Sequence, residues 1–156
     1  MLTWILIAQR AGARIFASRG PRAPLQLVRQ FDHPIGRLHD RDLESDKPGR
    51  LFKPSRSGNS RFATDSERTT HDNLAGDFAR ELAECLALGR GQNQYDALIL
   101  VAEPRFLGLL HSVIDAKTRK KIIGSLGKDL SAVSEAELPQ HLRAVLEDWS
   151  EAMLTM

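Results

Sequence analysis

Apolar positions along this chain recur with two different periods, and the changes between them mark its elements. Ala97 to Ala102 contains no polar residue. A run that short and that hydrophobic suits a strand covered on both faces, as at the centre of an α/β sheet. Glu103-Pro104 then turns it directly into a helix, because the missing proline N–H costs nothing at the first helical position. Phe106, Leu110 and Val113 fall on one helical face with Leu107 and Ile114 beside them, so this helix is predicted to fold back onto the sheet.

The same reading places the rest. Thr3 to Gln9 and Ala13 to Ser18 pattern as two strands of a hairpin, with Gly12 as the permissive residue between them. Gly20 to Pro24 is a turn, and Leu25 to Phe31 offers a third strand that His33-Pro34 ends. Periodicity then vanishes from Pro34 to about Thr70, which reads as one long loop insertion. Leu74, Phe78, Leu82 and Leu86, flanked by Ala75, Ala79 and Cys85, form the apolar stripe of the longest helix, with Asp77, Arg80, Glu81 and Glu84 outside it. Gly89 to Gln94 stops that helix. Asp115 to Lys121 is a basic connection, and Ile122 to Leu130 is a last strand weakened by Gly124 and Gly127. Ser134 to Glu137 has capping-box form, predicting a final helix over about Glu135 to Leu146. The expectation is one α/β domain over residues 1–146, with a mixed sheet of about five strands flanked by helices and the insertion at 34–70. A tail at 147–156 carries Trp149, Met153 and Leu154 and is a candidate homo-oligomer contact.

Composition adds little, but charge placement adds more. A 42% hydrophobic and 27% charged chain is ordinary for a globular domain, and 156 residues suit one core. No acid precedes Asp32 although Arg10, Arg14, Arg19, Arg22 and Arg29 do, while Glu135 to Met156 holds five acids against Arg143 alone. The single Cys85 excludes an internal disulfide framework and fits a reducing compartment. Met1 to Ala8 is only a strand's length and lacks the basic segment of a signal peptide, and no run is long enough to cross a membrane. The expected location is the cytoplasm.

The insertion holds the main chemistry. Lys47, Arg50, Lys53, Arg56 and Arg61 occur without an acid among them, and Phe52 and Phe62 are interleaved. Cations that neutralise phosphates and rings that stack on bases are the means of binding single-stranded RNA, although a solvated loop has the same composition. Residues 47–61 lack an apolar face and are expected to be poorly ordered in isolation. A second candidate is Arg105, where a strand's carboxyl end and a helix N-terminus favour an anion. Against it stands Glu103, with which Arg105 could pair. His39, Asp40 and Asp42, with His33 and His71, could serve a hydrolase, but their spacing matches no known metal set. Thr3 to Gln9 lacks the carboxylate that a two-metal nuclease generally places on its first strand. Ser55, Ser57, Gly58 and Ser60 lack the form of a nucleotide P-loop. No catalytic residue, metal or cofactor is assigned.

Thr3 to Ala8 with Ala13 to Phe16, then His33-Pro34, Gly36-Arg37, Leu43, Ser45-Asp46 and Pro48 to Arg50, then Val101-Ala102, Pro104 to Gly108 and Lys128 to Leu130, follow one another in an order that resembles the bacterial host attachment protein family. The resemblance spans roughly residues 2 to 146. It departs at Glu103, where the family more often has a small residue or proline. The family is in turn similar to the middle domain of archaeo-eukaryotic peptide-chain release factors, which implies a ribonuclease H-like α/β fold. In true release factors a loop carries Gly-Gly-Gln into the ribosome. Here the nearest imitation is Gly89-Arg90-Gly91-Gln92, beyond the long helix, so peptide release by that route is not expected. The basic loop, together with the release-factor-like fold that the resemblance implies, suggests a non-catalytic RNA- or ribosome-associated module acting through that loop. The resemblance also leaves open an attachment factor working through protein contacts.

Overall fold

The computed structural model describes residues 1–32, 57–143 and 145–147, with side chains of the long helix from residue 74 onward. Two buried strands, β1 (Thr3–Gln9), apolar from Trp4 to Ala8, and the wholly apolar β4 (Ala97–Ala102), pair in parallel at the centre. β1 turns through Arg10-Ala11 into β2 (Gly12–Ser18), with Thr3 opposite Ser18 and Gln9 opposite Gly12. β3 (Gln26–Asp32) runs antiparallel to β2 and β5 (Ile122–Gly127) parallel to β4, giving the order β3-β2-β1-β4-β5. The sheet is therefore mixed, with β2 alone reversed.

Alternation along the central strands divides the core in two. Trp4, Leu6, Leu98 and Leu100 meet α1 (Ser57–Gly91) and α2 (Pro104–Val113) on one face. There the predicted stripe of Phe78, Leu82 and Leu86 is buried, as are Phe106, Leu110 and Ile114. Ile5, Ile7, Ile99 and Val101 meet Leu130, Leu138, Leu142 and Val145 on the other. The C-terminal segment thus packs on its own domain at least as far as Val145. Arg14 of β2 pins that segment by donating from Nη2 to the carbonyls of Leu130 (3.0 Å) and Val133 (3.1 Å).

Several boundaries differ from the sequence reading, each for a local reason. α1 begins at Ser57, so the non-periodic stretch before Leu74 is helical over its last part and the insertion is shorter than 34–70. Extending a helix adds one hydrogen bond per residue fixed, so a segment without an apolar stripe can follow one that has it. β5 ends at Gly127, because Leu130 leaves the sheet to fill the second core. The predicted final helix begins later and is interrupted: α4 is Leu138–His141, does not start at Glu135, and residues 143 and 145–147 are again helical. Pro139 dictates the later start, since five positions into a helix its absent N–H would break a backbone bond, whereas in the first turn it breaks none. Gly12 does not occupy a left-handed turn, for no glycine has positive φ among the described residues. Its lack of a side chain matters because a Cβ there would lie 2.9 Å from the carbonyl oxygen of Phe31 on β3.

Candidate functional site

The chain order reverses between β1 and β4, and the crevice beyond the carboxyl ends of strands at such a point is where α/β sheets generally hold ligands. At this point the N-terminus of the following helix already holds a carboxylate of the same chain. Glu103 is the N-cap of α2, and its Oε1 accepts from the Phe106 N–H (2.7 Å) while Oε2 accepts from the Arg105 N–H (3.2 Å). Pro104 follows with no N–H to offer. An anion at the Arg105 turn would have to displace Glu103 from both donors. Arg105 itself is exposed.

Of the cationic segment, Lys47, Arg50, Phe52, Lys53 and Arg56 lie outside the described residues, while Arg61 and Phe62 lie on the backbone of α1. Of the stretch expected to be poorly ordered in isolation, residues 57–61 lie on the backbone of α1 and 47–56 lie outside the described residues. His33, His39, Asp40 and Asp42 lie outside too, and His71 is on the α1 backbone. Among the described residues no three His, Cys, Asp or Glu side chains come together as a metal set. Of the tail at 147–156, proposed above as an oligomer contact, residues 148–156 are likewise outside them.

The structure assembles a different polar corner, where the C-terminal ends of α1 and α2 meet α3 (Ala116–Arg119) and the start of β5. Asp115 caps α3 by accepting from the Thr118 N–H (3.3 Å), and its other oxygen faces Arg90 Nη2 at 3.6 Å. Arg90 Nε donates to the buried Thr118 hydroxyl (3.1 Å). The hydrogen bonds from Thr118, followed by nearby Arg90, hold the Asp115 carboxyl below its ordinary range. Arg119 Nη2 donates to the carbonyls of His111 (2.7 Å) and Ile114 (3.0 Å), satisfying the open end of α2. His111 Nε2 lies 3.3 Å from Ser125 Oγ. Lys117 and Lys120 project into solvent and Lys121 is half-buried. The sequence showed this stretch as a basic connection; its folding into a pinned corner depends on Arg90, which comes from another helix.

Beside the corner, Tyr95 stacks on Trp4 with ring centroids 4.8 Å apart and donates its hydroxyl to the Leu86 carbonyl at 2.6 Å. Burial pushes its phenol up to about 12. A shallow groove lined by Arg80, Glu84, Val113 and Asp115 also adjoins the corner, but it carries both signs of charge and favours neither kind of ion.

Compared with known protein families, the chain matches over residues 4–142 the family described as protein required for attachment to host cells. No curated protein matches it. Among the described residues no helix is long and apolar enough to cross a membrane.

Proposed function

We infer the function from one premise: this chain belongs to the family of proteins required for attachment to host cells, matched over residues 4–142 of its 156. Its role is attachment-related and is exercised by binding, not catalysis. The observation that carries this reading is the Glu103 cap, since the two backbone donors that would receive an anionic substrate at the switch point already hold a carboxylate of the same chain.

The partner in this reading is RNA or the ribosome, met in the cytoplasm. Its support is the acid-free series Lys47, Arg50, Lys53, Arg56 and Arg61 with Phe52 and Phe62, a composition suited to phosphate neutralisation and base stacking. The finer classification, a ribonuclease H-like domain akin to the release-factor middle domain, belongs to the same proposal, and its support is the five-strand mixed sheet with helices, the architecture that the resemblance implies. Direct attachment through protein contacts has about equal support, from the family description.

Ribosome co-sedimentation at low and high salt, run beside binding of purified protein to host cells, separates the two. The RNA reading expects pelleting with ribosomes at low salt, release at high salt and no binding to cells. Cell binding without ribosome pelleting would overturn it in favour of direct attachment.

A further inference from the structure

We propose that Lys117, Lys120 and Lys121 form a second surface for the phosphate backbone of single-stranded RNA, separate from the Lys47 to Phe62 segment; the choice of RNA rests on the reading above. Lys117, Arg119, Lys120 and Lys121 place four cations in five positions, and the structure gives them different tasks. Arg119 is committed to the carbonyls of His111 and Ile114. Lys117 and Lys120 are three apart, hence on one side of the turn, and both are exposed. None of the three lysine ammonium groups has an ion-pair or hydrogen-bond partner among the described residues.

The nearby acids are already engaged. Asp115 accepts from the Thr118 N–H and faces Arg90, and Asp96 accepts from the Leu2 N–H at 2.8 Å. Lys121 joins β5 to the sheet, its carbonyl accepting from the Leu98 N–H at 2.8 Å. The lysine backbones are therefore held by the Asp115 cap, the Arg119 bonds, the Arg90–Thr118 bond and the sheet. Holding the backbone in this way removes the main-chain share of the ordering cost when an anion binds.

Chemistry selects the partner. The surface has lysines but no exposed ring or aliphatic anchor within residues 115–121, where Ile114 just before it and Thr118 within it are buried. Stable membrane docking needs an apolar or acyl signal beside the charge, and protein interfaces centre on buried aromatic or arginine anchors. A cluster of ammonium groups alone suits a repeated, flexible anion such as a phosphodiester chain.

The test uses labelled oligo(U) and oligo(A), titrated across a salt series with the full chain. The proteins are the parent, K117A/K120A/K121A, its arginine counterpart K117R/K120R/K121R, and R50A/K53A/R56A. Three phosphate contacts on a single strand are worth about 2 in the slope of log affinity against log salt. The lysine-to-alanine variant should flatten the slope by about that amount and weaken both RNAs alike, and the arginine variant should bind as the parent does. An unchanged slope in K117A/K120A/K121A, beside a lost slope in R50A/K53A/R56A, would overturn the corner and leave the loop reading standing. The opposite pattern would support the corner and remove the loop. A parent that binds neither RNA but binds anionic vesicles or heparin would overturn both. Thermal melts equal to the parent's establish that each variant is folded.

Discussion

Phe106 is fully buried, with its ring centroid 6.0 Å from that of Phe78, which in turn meets Phe31 edge-on at 6.5 Å. These three rings tie α2, α1 and β3 together, so Phe106→Ala should lower stability by roughly 3 to 5 kcal/mol in a denaturant titration. A midpoint equal to the parent's would mean that this face of α2 does not carry the core. Tyr95 gives a second residue-level test, because it is the only tyrosine in the chain and its ionisation can be followed by tyrosinate absorbance. The folded phenol is raised from 10.0 to about 12 by burial, so the neutral form is the one the fold favours. Its contribution to stability is complete below the unfolded value and is lost as pH rises through the window from about 10 to about 12. Absorbance should therefore titrate near 12 in the folded protein and near 10 in denaturant; coincident midpoints would place the ring in water. Gly89 explains why the site is so tight, since a Cβ there would lie 2.8 Å from the Trp4 ring.

At the scale of elements, the long helix ends in a way that glycine spacing alone does not reveal. Asn93, not Gly89 or Gly91, takes the left-handed conformation at φ 56°. The Gln94 N–H returns to the Gly89 carbonyl (2.9 Å) and the Asn93 N–H to the Arg90 carbonyl (3.1 Å), the paired bonds of a Schellman stop. Asn93→Gly should be tolerated, whereas Asn93→Val should cost about 1 to 2 kcal/mol because a branched Cβ crowds the backbone there. Equal melting temperatures for the two variants would contradict that assignment. Elements with a strong periodic signal were legible: β1 and β4 run over the predicted residues, and the Phe78, Leu82 and Leu86 stripe faces inward. Misread boundaries were those set by something outside the local pattern. Ser57 starts α1 because a helix propagates beyond its stripe, and Leu138 starts α4 because Pro139 overrides a capping-box sequence.

For the whole molecule, the sequence order of apolar runs was enough to anticipate a five-strand mixed sheet with helices, since each run could satisfy only one layer. The polar corner was not legible, because Arg90 lies far along the chain from Asp115 and Thr118 and meets them only through packing of α1 on α3. Glu103 was visible as the departure from its family's pattern, but its role as an N-cap needed the geometry of both carboxylate oxygens. In the proposed reading this is a binding domain: Glu103 occupies the N-terminus of α2, and the candidate phosphate contacts are the Lys47 to Arg61 series of the sequence and Lys117, Lys120 and Lys121. Phosphate contacts and base stacking separate cleanly in such a domain. Phe52→Ala should weaken RNA binding by about 1 to 3 kcal/mol with little effect on salt dependence, because a stacked ring releases no counterions. The most direct measurement of the central claim is the affinity of the parent for single-stranded RNA as a function of salt. Neutralising three to five phosphates through the loop alone predicts a log–log slope of roughly −2 to −3.5, and steeper if the corner contributes. A slope near zero, or no binding at low salt, would contradict it.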